Sequence, residues 1–190
     1  MKKLLTIATI LILNVCQAQE YSLNNPPISF SDAPAGAYFK DIEGVLNPYV
    51  GLWKGTWNGK TLYIEFRKVK YQLGDIYRDA ILGERKIINV NGLIEIDRIS
   101  TFDNVDSEFF GVNISLARPF YKSLHFYPKN MCGKTATIDI KFIDAAKTQM
   151  QMYFRYDPSS YDPNCIHNAY VNQYGEFPVN FPKDIILTKQ

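Results

Sequence analysis

Strict alternation of apolar and polar residues recurs in four separate stretches of this chain, and it constrains the fold more than any other feature. In residues 61–69, Leu62, Ile64 and Phe66 fall on one side, while Glu65 and Arg67 fall on the other. Residues 109–116 set Phe110, Val112, Ile114 and Leu116 against Asn113 and Ser115. Residues 135–142 alternate Ala136, Ile138, Ile140 and Phe142 with Thr137, Asp139 and Lys141, and residues 149–156 alternate Met150, Met152, Phe154 and Tyr156 with Gln149, Gln151 and Arg155. Successive side chains of a strand point to opposite faces, so each stretch predicts a strand with one buried face.

Turn chemistry supports the same reading. Asn58-Gly59 and Asn91-Gly92 predict tight hairpins of type I′, whose two central residues both need positive φ. Residues 144–148 suit a longer hairpin loop. Shorter strands are expected at 76–82, 87–90, 93–96, 121–126 and 184–189. The sum is an all-β domain, an antiparallel meander closing into a barrel or sandwich, with at most one or two short helices. One helical turn is expected after Asp41, limited by Pro48, and one late helix between Asp162-Pro163 and Gly175.

Ahead of this pattern, Lys2 and Lys3 precede an apolar run from Leu4 to Leu13, and small residues follow at Cys16 and Ala18. That order reads as a secretory signal peptide over residues 1–18, cleaved after Ala18. The run is shorter than the ~20 residues that span a bilayer, so the mature protein is expected to carry no transmembrane segment. The competing reading, lipidation of Cys16, places the bulky Val15 where a small residue is wanted. Residues 19–40, with Pro26-Pro27 and Ala33-Pro34-Ala35-Gly36, read as an extended lead-in. Residues 41–190 then form a single domain of ordinary size.

Removing the leader changes what composition says. The chain has 21 basic and 19 acidic residues; without Lys2 and Lys3, 19 of each remain. A neutral chain offers no basic excess for nucleic acid or an anionic membrane surface. Three cysteines become two, Cys132 and Cys165, and such a pair in an oxidising compartment is expected to form a structural disulfide. Closing that loop contributes about 3–4 kcal/mol in the chain-entropy model.

Asn47-Pro48-Tyr49 followed by Gly51-Leu52-Trp53-Lys54-Gly55 resembles the opening of lipocalin and calycin barrels. The resemblance implies that Gly51 and Trp53 belong to the barrel floor, and that a late helix precedes a last short strand. The Tyr38–Asp41 stretch, with the same Asn-Pro-Tyr and Gly-x-Trp-Lys-Gly, is also similar to an uncharacterised family of small secreted Bacteroidota proteins. That family brings no assigned activity.

Catalytic patterns do not accumulate. His125 and His167 are the only histidines, and there is no G-x-S-x-G elbow, no metal-binding histidine spacing and no glycine-rich phosphate loop. The acids Asp75, Asp79 and Glu84, and Asp97, Asp103, Asp106 and Glu108, read as solvated turn residues. No catalytic residue, cofactor or metal is assigned. Two binding readings stay open. In one, the barrel encloses a small apolar ligand; in the other, the core is filled and a surface recognises protein or glycan. Tyr161, Tyr170, Tyr174 and Phe177, in the aromatic late segment, are the candidate contacts.

Overall fold

The computed structural model describes residues 19–114, 118, 120–129, 131–156 and 162–190. The expected signal peptide, Cys16 included, and Tyr161 lie outside the described residues. The chain separates into two compact units, one of residues 46–69 with 80–190, the other of the residues up to 45 with 70–79.

In the smaller unit, β1 (Glu20–Ser22) pairs in parallel with β2 (Tyr38–Lys40), and Tyr38 and Phe39 of β2 pair in parallel with Tyr77 and Arg78. Where an extended lead-in was expected, there is a small core of Ala37, Phe39 and Ile76. Phe39 nucleates it, since the Tyr21 and Phe30 rings lie 5.3 and 4.5 Å from its own. Asp79 fastens the unit by accepting hydrogen bonds from the Tyr38 hydroxyl (2.5 Å) and the Asp41 N–H (2.8 Å). Asp41 caps a turn through Val45 N–H (2.7 Å), and the short helix lies further on, a 3-10 turn at Asn47–Tyr49.

The larger unit is a closed eight-stranded antiparallel barrel. Its strands are β3 (Gly51–Trp57), β4 (Lys60–Leu73), β5 (Ile76–Ile88), β7 (Phe109–Ile114), β8 (Lys122–Phe126), β9 (Ala136–Phe142), β10 (Gln149–Tyr156) and β11 (Asp184–Lys189). A short β6 (Ile94–Asp97) pairs beside β5, outside the barrel circuit. The order is an up-and-down meander, closed where β11 meets β3. Asn58 (φ 47°) and Gly59 (φ 75°) make the expected β3–β4 turn. At Asn91-Gly92 the turn differs: Gly92 has positive φ and Asn89 N–H bonds to Leu93 O, which leaves three loop residues. The Asn89 carboxamide accepts from both Asn91 N–H and Leu93 N–H, and so holds this wider loop.

One strand departs from the expected facing. Phe109, not Phe110, points into the barrel and is fully buried, and the β7–β8 register shifts between Gly111 and Asn113 around Val112. Phe109 faces inward because Gly83, its partner on β5, leaves room for it.

Candidate functional site

The barrel interior is the first place to look for a ligand, and it is full. Trp53, Leu62, Ile64, Phe66, Ile81, Ile87, Phe109, Leu124, Phe126, Ile138, Met150, Met152 and Leu187 each expose 1% or less of their surface. The rings interlock: Phe109 stacks on Phe126 at 4.7 Å, and Phe66 meets Phe109 edge-on at 5.9 Å. Close packing of this kind stabilises a scaffold and leaves no chamber among the described residues.

Both ends of the barrel are built from specific contacts. At one end, the Trp53 indole N–H donates to Tyr49 O at 2.7 Å, and the Tyr49 and Trp53 rings lie 4.7 and 6.1 Å from Phe142. Lys189 crosses over Trp53, its ammonium 5.4 Å from the ring and 3.0 Å from Pro48 O. Gly51 lies beneath that lysine with φ of 124°, and a Cβ there would stand 3.1 Å from Lys189 Cε. Burial pushes the Tyr49 hydroxyl up to about 12.

At the other end, Phe181 of the late segment packs against Phe109, Phe126 and Phe154, with centroids 5.9, 5.2 and 5.9 Å away. Arg85 seals this plug. Its guanidinium sits 5.0 Å from the Phe126 ring and donates to Glu108 at 2.8 and 3.3 Å and to Asn180 O at 2.6 Å. Asn180 passes the network outward: its carboxamide donates to Glu95 (2.8 Å) and accepts from Lys60 (3.2 Å), which also pairs with Glu95 at 2.7 Å. On the opposite face of β5, Glu84 is fully buried with Arg98 3.4 Å away. Burial raises the Glu84 carboxyl to about 6, opposed in part by Arg98.

The acids read from the sequence as solvated turn residues therefore do more. Glu84 and Glu108 are buried partners of arginines, and Asp139, also buried, receives Arg155 at 2.7 and 3.3 Å and Arg118 at 3.5 Å. Asp97 pairs with Lys86 at 2.9 Å, and Asp106 pairs with Lys129. Those lysines hold both aspartates below the usual carboxylate range. His125 is exposed on the outer face of β8, across from Phe110 and Thr137. Among the described residues, no group of three or more His, Cys, Asp or Glu is arranged to hold a metal ion.

The late segment is tied down and then turned outward. Cys132 and Cys165 are joined by a disulfide, with their Cα atoms 5.8 Å apart. The helix α1 (Asn168–Tyr174) follows, ended by Gly175 in the left-handed conformation, whose N–H caps Val171 O at 2.8 Å. It starts later than expected because Asp162 and Pro163 form a turn, with Asp162 Oδ1 accepting from Asn164 N–H. Phe177, a candidate contact, is turned inward at 7% exposure, 6.0 Å from both Tyr156 and His167 and with Lys134 over its ring at 5.3 Å. Tyr170 and Tyr174 lie outward, 39% and 58% exposed, their rings paired at 4.5 Å. Ile166, two residues before the helix, is 84% exposed, and no sequence pattern marks it.

A family model matches residues 1–190, the whole chain. The protein belongs to DUF6705, a family of unknown function. No curated protein and no solved structure matches it. Membership of DUF6705 agrees with the resemblance to an uncharacterised family and assigns no chemistry. Among the described residues, no helix is long and apolar enough to cross a membrane.

Proposed function

We propose that this DUF6705 protein is an exported, non-enzymatic binding protein that recognises its partner on its outer surface, with the barrel as a rigid scaffold. The observation that carries this reading is the solid interior. With no chamber among the described residues, recognition falls to the exterior, and the late segment offers a paired tyrosine face and an exposed Ile166. Tyrosine supplies a large contact area at little conformational cost, together with a hydroxyl for hydrogen bonding. The disulfide pre-orders this segment and supports an oxidising destination. On this reading residues 1–18 are removed as a signal peptide, and the mature chain begins at Gln19 with Cys16 gone.

A photo-crosslinking amino acid placed at Tyr170 or Tyr174, in protein secreted by its producing cells, tests the reading. The same residue at Val90, exposed on the β5–β6 loop, serves as control. A discrete adduct from positions 170 and 174 that position 90 lacks is expected. No adduct from either tyrosine position, or the same adducts from all three, overturns the proposal. Intact mass of the mature chain tests the filled barrel in parallel: the expected value is that of a polypeptide starting at Gln19, with one disulfide and no retained small molecule.

A further inference from the structure

The barrel closes at β11, and that closure is incomplete. Pairing of β11 with β10 runs the length of the strand, from Thr188↔Gln149 to Asp184↔Tyr153. Its pairing with β3 is confined to Thr188↔Lys54 and Lys189↔Trp53, extended by a hydrogen bond from Gln190 N–H to Leu52 O. Past Lys54 the ladder stops. A Cβ at Gly55 would stand 2.8 Å from Ile186 O, 2.6 Å from Leu187 Cδ2 and 2.8 Å from Ile185 Cδ1. β11 therefore passes close beneath bare backbone instead of lying level beside β3. The result is an outward-facing groove of about 570 Å³, with β11 as its floor and β3 and β10 as its sides. The groove lies open to solvent, so a ligand there would be held against one face and not enclosed.

The lining defines the ligand class. Ile186, half exposed, is the apolar part of the floor, and around it stand Lys54, Thr56, Gln151, Asp184 and Thr188. Lys54 and Asp184 supply one cation and one anion, and Gln190 completes the polar lining. The Gln151 carboxamide is already oriented: Gln151 Nε2 donates to both Asp184 oxygens at 3.2 and 3.4 Å, and Tyr121 OH donates to Gln151 Oε1 at 3.4 Å. Lys54 leans over Tyr63 of β4 at 5.6 Å, on the side of β3 away from β11. An extended peptide adding as a strand would need about 4.8 Å to each neighbour, and the contact at Gly55 leaves no such gap. Amide, carboxylate, ammonium and hydroxyl groups around a small apolar floor instead match a ligand with many neutral hydroxyls and a C–H face.

We infer that the groove over β11 is a binding site for a neutral saccharide. Gln151 and Asp184 would bridge adjacent hydroxyls, Thr56 would reach the opposite edge, and Ile186 would support the ring face. This site shares no residue with the tyrosine face of α1, so the two stand or fall separately.

The test uses the mature, disulfide-intact protein, ¹⁵N-labelled and titrated with cellohexaose, maltohexaose and mannohexaose. At least one sugar is expected to give saturable amide shifts at residues 54–56, 151 and 184–188. Gln151→Ala and Asp184→Ala, both on the outer face, should each weaken that binding about tenfold, equivalent to the ~1.4 kcal/mol of one decade in Kd. Tyr170→Ala should leave it unchanged. Absence of saturable groove shifts with all three sugars up to about 10 mM, a Kd weaker than roughly −3 kcal/mol of binding, overturns the inference. So does binding that both groove variants retain in full.

Discussion

Glu84 offers a direct test of how the buried charges of the barrel were placed. Its carboxyl is fully buried on the outer side of β5, and Arg98 reaches it only at 3.4 Å. Burial costs the charged form more than Arg98 returns, so the carboxyl rises from 4.5 to about 6. The folded protein then holds this proton more tightly than the unfolded chain. Glu84 costs nothing below about pH 4.5, and stability falls as pH rises through 4.5 toward 6 and levels off above that. A shift of that size corresponds to about 2 kcal/mol. Glu84→Gln keeps the shape and a hydrogen-bonding side chain but cannot ionise. Urea unfolding, followed by fluorescence of the buried Trp53, would be measured for both proteins at intervals between about pH 4 and pH 8. The variant's stability relative to the parent should climb by about 2 kcal/mol across that range, most steeply between about pH 4.5 and 6. Taking the difference cancels Asp97 and Asp144, whose lowered pKa values act in the opposite direction. A difference that stays flat with pH, or that falls as pH rises, would refute the reasoning.

Three further outcomes are expected. Glu108→Gln leaves the Arg85 guanidinium buried without its counter-charge, and should lower unfolding free energy by about 3–5 kcal/mol in a denaturant titration. Gly83→Ala places a Cβ 2.5 Å from the Phe66 ring and 3.2 Å from Phe109 Cβ, in a core with no slack; about 1–3 kcal/mol of destabilisation is expected from the shift in denaturation midpoint. Reduction of the mature protein should release two thiols and cost about 3–4 kcal/mol. Free thiols titrated before reduction would contradict the Cys132–Cys165 bond.

Much of the barrel could be read from the residues, because one buried face imposes a period of two. β9 and β10 match the alternating stretches within a residue. The period fails where the backbone stops being regular: the shift around Val112 in β7 turned Phe109 inward in place of Phe110. It also says little about charges in mid-strand. Glu84 and Arg85 are adjacent on β5, so one of them had to face the interior, and that adjacency was the available signal for the plug at Arg85. Which distant acid completes the pair depends on folding, as Glu108 lies 23 residues away. The late segment has no period at all. Nothing in its spacing separates Phe177 and Phe181, which turn in, from Tyr170 and Tyr174, which turn out. The groove over β11 is legible only in three dimensions, since it arises from Gly55 on the first barrel strand and Ile186 on the last.

The closing pair of strands also sets an order of events. The β3–β4, β4–β5, β7–β8, β8–β9 and β9–β10 steps join strands that are near neighbours in sequence, so those pairings can form early. The contact of Trp53 with Lys189 spans almost the whole unit, and it cannot form until β11 is in place. Loop-closure entropy makes such a long-range pairing a late and slow step. Until then β3 has an open edge and the Trp53 end lacks its lysine. The chain is therefore most vulnerable to wrong strand partners just before its last strand docks, and a slow final phase should report on residues 51–54 and 186–190 together.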